Sequence, residues 1–198
     1  MEIILKYVDK VGLIGIIVSI TAFLVGMKFP DWDFKLKLQH RNILTHSPFF
    51  LFLLLELYEK DRSDTFRFFI AGFSLAMGIH FIFDFFPKGW ARGALIHLPI
   101  VRLPLSKMMS QVIFILSIGI SLYISLKMIN RFEEFIFFGI LALWTFLKNT
   151  IKEEKFFRPC VMFLILFTFM GSFKFKEIEK NMIRGQKEIV KYVRNIGK

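Results

Sequence analysis

The sequence predicts an all-α, polytopic membrane protein of about six transmembrane helices with a C-terminal amphipathic helix, and three observations carry that prediction. The chain has 198 residues, 55% of them hydrophobic with 27 Phe, and a mean hydropathy of +0.56. Its apolar residues gather into six stretches of 13 to 19 residues that hold no Lys, Arg, Asp or Glu, and such stretches match or approach hydrocarbon thickness. The Lys and Arg behind the net charge of +11 cluster largely in the intervening loops and the last 25 residues. In a soluble protein that charge would suggest nucleic acid. Distributed this way it points to anionic lipid headgroups, with no nucleic acid as partner.

The stretches are 11–27, 43–55, 68–83, 108–126, 135–147 and 159–173. The first is read as a retained span, because no cleavage site of the A-x-A type follows it and Pro-Asp-Trp-Asp begins almost at once. Pro30 discourages further helix, which places Asp31 and Asp33 on a non-helical segment at the membrane surface. The second run opens near Ile43, and the third carries His80 near its end and stops before Pro87. The fifth and sixth are short, and crossing there requires snorkelling lysines or a thinned bilayer.

From Phe175 onward, Ile178, Met182, Ile189, Val193 and Ile196 recur at helical spacing between lysines and arginines. This pattern suits an interfacial basic helix with a break at Gly185. The expected organisation is a membrane domain over 1–173, with site loops at 28–47 and 80–107, and a basic tail over 174–198. Cys160 is the single cysteine, which excludes intrachain disulfides and cysteine-rich metal sites.

Six crossings would place the loops at 28–45, 84–107 and 148–159 on one face. Lys and Arg then number 12 on that face and 14 on the other, which leans toward a cytoplasmic tail in an inner or single plasma membrane. All four histidines, His40, His46, His80 and His97, fall on the first face beside Asp31, Asp33 and Asp84. His80 and Asp84 are four apart on a helix and share a side of it. Ionisable residues at membrane depth mark functional sites, and the bland reading of this pair is a clamp between neighbouring helices.

The order Pro-Asp-Trp-Asp at 30–33, His-Arg-Asn-Ile-Leu-Thr-His-Ser at 40–47 and His-Phe-Ile-Phe-Asp at 80–84 resembles the YdjM-like family of bacterial and archaeal inner-membrane proteins. That family is associated with LexA binding and with metal-dependent hydrolysis. The resemblance covers roughly residues 26–105. It implies Asp31, Asp33, His40, His46, His80 and Asp84 as the polar centre, with Arg41, Thr45 and Ser47 in support and a LexA-type protein as a remote partner. His97 lies outside the matching motifs.

Mixed carboxylate and imidazole donors suit zinc, manganese or iron, with zinc or manganese expected and one or two ions accommodated. The expected metal set is Asp31, Asp33, His40, His46, His80, Asp84 and His97, and the expected catalytic set is Asp33, His46, Asp84 and Arg41. In this reading a metal-activated water attacks a lipid or polyprenyl phosphoester whose phosphate is held by Arg41, with Lys88 and Arg92 as further cations. The alternatives are a non-catalytic protein in which the ion staples loops together, and a transporter with the ionisable residues along an ion path.

Overall fold

The computed structural model describes residues 12–99, 103–150 and 157–196. The described residues form six α-helices: α1 Leu13–Lys28, α2 Phe49–Lys60, α3 Asp64–Phe85, α4 Lys107–Met128, α5 Phe132–Thr150 and α6 Phe157–Ile196. Three of these are long and apolar enough to cross a membrane: α3, α4 and the Phe157–Lys176 part of α6. The expectation of six crossings is corrected accordingly, while the all-α class stands.

Length and charge explain the difference. The second apolar run becomes helical at Phe49 and not near Ile43, leaving 12 residues in α2. At 1.5 Å per residue that is about 18 Å, against about 30 Å of hydrocarbon. Helix α1 has 16 residues in the described range. Helix α5 has 19, but it opens on Glu133 and Glu134 and closes near Lys148.

The core is built around α3, which is buried along most of its length from Phe68 to Ile82. A helix apolar on every side is stable where neighbours cover every side, and here α1 and α4 do so. Glycine permits the closest approach of α1. A Cβ on Gly72 would lie 2.5 Å from the Ser19 carbonyl oxygen, and one on Gly26 would lie 2.6 Å from that of Phe73. Helix α4 turns a stripe of buried serines, Ser110, Ser117, Ser121 and Ser125, inward. Ser125 donates to the Ala71 carbonyl at 2.9 Å.

The first turn of α3 is latched by Arg67. Its guanidinium makes two hydrogen bonds to Glu134, at 2.8 and 3.0 Å, one to the Met128 carbonyl at 2.6 Å and one to Asp64 at 3.0 Å. The charge is thereby matched on every arm, which a buried arginine requires. This latch ties the start of α3 to the α4–α5 turn, at the opposite end of α3 from His80 and Asp84. Helix α6 runs unbroken through Gly185 to Ile196.

Candidate metal centre

Three stretches of chain meet at the C-terminal end of α3. The first is the turn after α1. Proline fixes its own φ near −65° and so suits the opening position of a helical turn, and Pro30–Asp33 forms a short 3-10 helix. The second is the 39–48 segment, folded by hydrogen bonds from Thr45 N and His46 N to the Asn42 carbonyl. The third is the last two turns of α3 with His80 and Asp84. Residues 94–99 and 103–105 stitch over them: Ile43 N donates to the His97 carbonyl, His97 N to that of Arg41, and Leu105 N to that of Ile96.

At the centre lies His46, with no solvent exposure. Its Nδ1 is 3.0 Å from Thr45 Oγ1, whose own proton goes to the Asn42 carbonyl. The threonine oxygen therefore accepts, Nδ1 carries the hydrogen, and the lone pair of the neutral ring resides on Nε2. His80 is fixed in the same way, with Nδ1 2.9 Å from the Met27 carbonyl, a group that can only accept. Both rings thus turn Nε2 to the same point, and that of His46 has no hydrogen-bond partner.

Asp84 faces them there. Its Oδ2 is 3.2 Å from His46 Nε2 and 3.4 Å from His80 Nε2. The fourth group is Asp31, whose Oδ1 is 3.7 Å from His80 Nε2 and whose side chain is 55% exposed. Donor atoms of Asp31, His46 and His80 all lie within 4.8 Å of one another, a grouping able to hold a metal ion.

The physical case for a cation is the state of the two innermost atoms. His46 Nε2 and Asp84 Oδ2 are both buried and have no hydrogen-bond partner. Two lone-pair atoms in contact in a poorly solvated site repel, and a buried polar atom left unpaired costs about 1–3 kcal/mol. A shared proton would resolve the conflict by charging His46. However, burial holds that imidazole below its ordinary value of 6.5, against the pull of the Asp84 carboxylate. A metal ion resolves it without protonation. Donors placed tetrahedrally at about 2.0–2.1 Å from an ion lie about 3.3 Å apart, close to the separations of Asp84 from both imidazoles.

The remaining residues from the sequence reading take other positions. Asp33 is fully buried and accepts from the Phe34 N–H at 2.7 Å and the Arg41 N–H at 2.6 Å. Its Oδ2 is 3.4 Å from His40 Nδ1 and 4.0 Å from His46 Nδ1, so it stands behind the cluster. His40 is 39% exposed at the rim. His97 places Nδ1 2.9 Å from the His40 carbonyl and braces the loop.

Arg41 is buried, with one arm donating to Asp84 Oδ1 at 2.9 Å and another to the Ala94 carbonyl at 2.7 Å. Its backbone is left-handed, with φ of 57°, a conformation costing an ordinary residue about 1–3 kcal/mol. The Asp33 carboxylate holds it there. Lys88 is exposed, and the side chain of Arg92 lies outside the described residues. The Met27 and Ala94 carbonyls, which fix His80 and Arg41, carry no mark in the sequence, because any residue supplies a carbonyl.

Fold and site together are consistent with a multi-pass helical membrane protein carrying an Asp/His/His cluster able to bind a metal, set at one end of a spanning helix. Comparison with family models, curated proteins and solved structures finds no match.

Proposed function

We propose that the chain is a metal-dependent hydrolase of the membrane surface, acting on a phosphoester of a lipid or polyprenyl phosphate. The observation that supports this most is the pair of bare, buried donors, His46 Nε2 and Asp84 Oδ2, in a cluster whose fourth member, Asp31, reaches solvent. A closed shell of protein donors is structural, whereas a position left open to solvent serves chemistry. The resemblance of the three motifs to the YdjM-like family agrees with this reading.

His46, His80 and Asp84 would hold the metal and leave the position beside the exposed Asp31 open to water, and zinc or manganese suits this donor set. When bound, such a metal supplies Lewis acidity toward a phosphoryl oxygen and lowers the pKa of a coordinated water. The protein's own groups do the rest. Arg41 holds Asp84 by one oxygen and leaves the other toward the imidazoles, which makes it a positioning residue. Thr45 and the Met27 carbonyl keep both rings in the ligating tautomer. Asp31 is the exposed carboxylate placed to take a proton from the attacking water.

A second reading has its own support: the cluster joins the Pro30–Asp33 turn, the 39–48 segment and α3, as an ion that staples loops would. Elemental analysis of the detergent-purified protein and of its His46→Ala and Asp84→Ala variants tests the shared site, with bound metal expected in the parent and lost from both variants. A lipid-phosphate panel then separates the readings. Full metal occupancy without turnover of any member would defeat the hydrolase and leave the staple.

A further inference from the structure

We infer that residues 34–38, at the mouth of the cluster, form the element that captures an anionic lipid headgroup and presents it to the metal; this rests on the lipid-phosphoester reading above. The argument begins with Arg41. Two arms of its guanidinium are committed to Asp84 and to the Ala94 carbonyl inside the protein, so an incoming phosphate must meet other cations. Asp31 at the mouth repels an anion, which makes that need sharper.

The chain immediately after Asp33 reads Phe-Lys-Leu-Lys-Leu, and Phe34, Lys35, Leu36 and Lys37 are all exposed. The segment is held in a defined turn: Leu36 N donates to the Trp32 carbonyl at 2.8 Å, Lys37 N to that of Phe34 at 3.2 Å, and Leu38 N to that of Asp33 at 2.8 Å. Phe34, 64% exposed, stacks on the rim histidine His40 with ring centres 4.9 Å apart, and Leu36 is 58% exposed. Lys35 Nζ lies 5.7 Å from the centre of the Trp32 ring.

Exposed apolar groups alternating with lysines beside the end of a spanning helix match the headgroup layer: acyl carbons take the Phe and Leu, and anionic oxygens take the ammonium groups. Each lysine near such a surface strengthens binding to anionic membrane about fivefold. A polar, water-facing loop would have no use for Phe34 and Leu36, and a purely apolar anchor none for Lys35 and Lys37.

The test uses the full chain with Trp90→Phe and Trp144→Phe, which leaves Trp32 as the reporter beside Lys35, in nanodiscs of mixed phosphatidylglycerol and phosphatidylcholine. Bromine is placed on one lipid or the other at equal mole fraction. Brominated phosphatidylglycerol is expected to quench Trp32 more strongly, and Lys35→Gln/Lys37→Gln to remove the preference while bound metal stays at the parent level. Phe34→Ser/Leu36→Ser is expected to weaken quenching by both lipids.

Equal quenching by the two lipids in the parent, or an undiminished preference in the lysine variant, overturns the inference. Unchanged quenching in the Phe34/Leu36 variant overturns the insertion it depends on. Metal content is measured on the same discs. Metal without lipid preference defeats this inference alone, and lipid preference without metal defeats the hydrolase reading and, with it, the presentation step.

Discussion

Replacing Asp84 by Asn tests the metal centre with the smallest change in shape. The substituted amide would keep an oxygen for Arg41, so that arm stays paired, although the bond weakens from charge-assisted to neutral at a cost of about 1 kcal/mol. On the other side the amide N–H can donate to the bare His46 Nε2, which is 3.2 Å from Asp84 Oδ2, returning about 1 kcal/mol. The metal-free variant should therefore melt close to the metal-free parent.

With metal the two diverge. At a free concentration about 100 times the dissociation constant, binding stabilises the parent by about 2.7 kcal/mol. For a chain of this size that is a rise of roughly 5–10 °C in melting temperature. Asp84→Asn loses a ligating carboxylate and should show little of that rise. The assay is a thermal melt in detergent with zinc or manganese titrated after chelator treatment. A variant that gains as much from metal as the parent would refute the assignment of Asp84 as a ligand.

His97→Ala removes the bond to the His40 carbonyl and should lower stability by about 1 kcal/mol while bound metal, measured by elemental analysis, stays unchanged. Glu134→Gln removes the buried counter-charge of Arg67 and leaves only the exposed Asp64, and should destabilise by about 1–3 kcal/mol in a thermal melt, again with metal retained. The His46 imidazole is held below 6.5 by burial, so the unfolded chain takes up that proton more readily than the folded one. Its contribution to stability is full above 6.5 and fades as pH falls through the lower folded value, and the melting temperature of the chelator-treated protein should decline in that direction. Metal affinity should fall over the same range, since proton and metal compete for Nε2.

The motifs at 30–33, 40–47 and 80–84 are legible as candidate ligands from residue type and from the four-residue spacing of His80 and Asp84, but their meeting at one end of α3 comes from the folded turns and not from the six-crossing topology that first grouped them. What each residue does there is less legible. Asp33 and Asp31 differ by two positions, yet one is buried against backbone N–H groups and the other is exposed beside His80; the choice is made by the 3-10 turn. Arg41 reads from sequence as a phosphate clamp, and its engagement with Asp84 depends on a left-handed backbone that only the folded loop imposes. Hydropathy overestimates the number of crossings because it measures how apolar a run is, not how much of it becomes helix. Residues 43–48 read as part of a span and instead form the turns that deliver His46.

The hydrogen bonds that pin His46 and His80 from behind also bear on which ion is admitted. Rings locked by Thr45 and the Met27 carbonyl have little freedom to back away, so a guest must match their spacing. Calcium, which asks for six to eight oxygens at about 2.3–2.6 Å, would find two nitrogens at close quarters and too few oxygens. Selection against calcium would then arise from the type and number of donors, reinforced by the stiffness of the two rings.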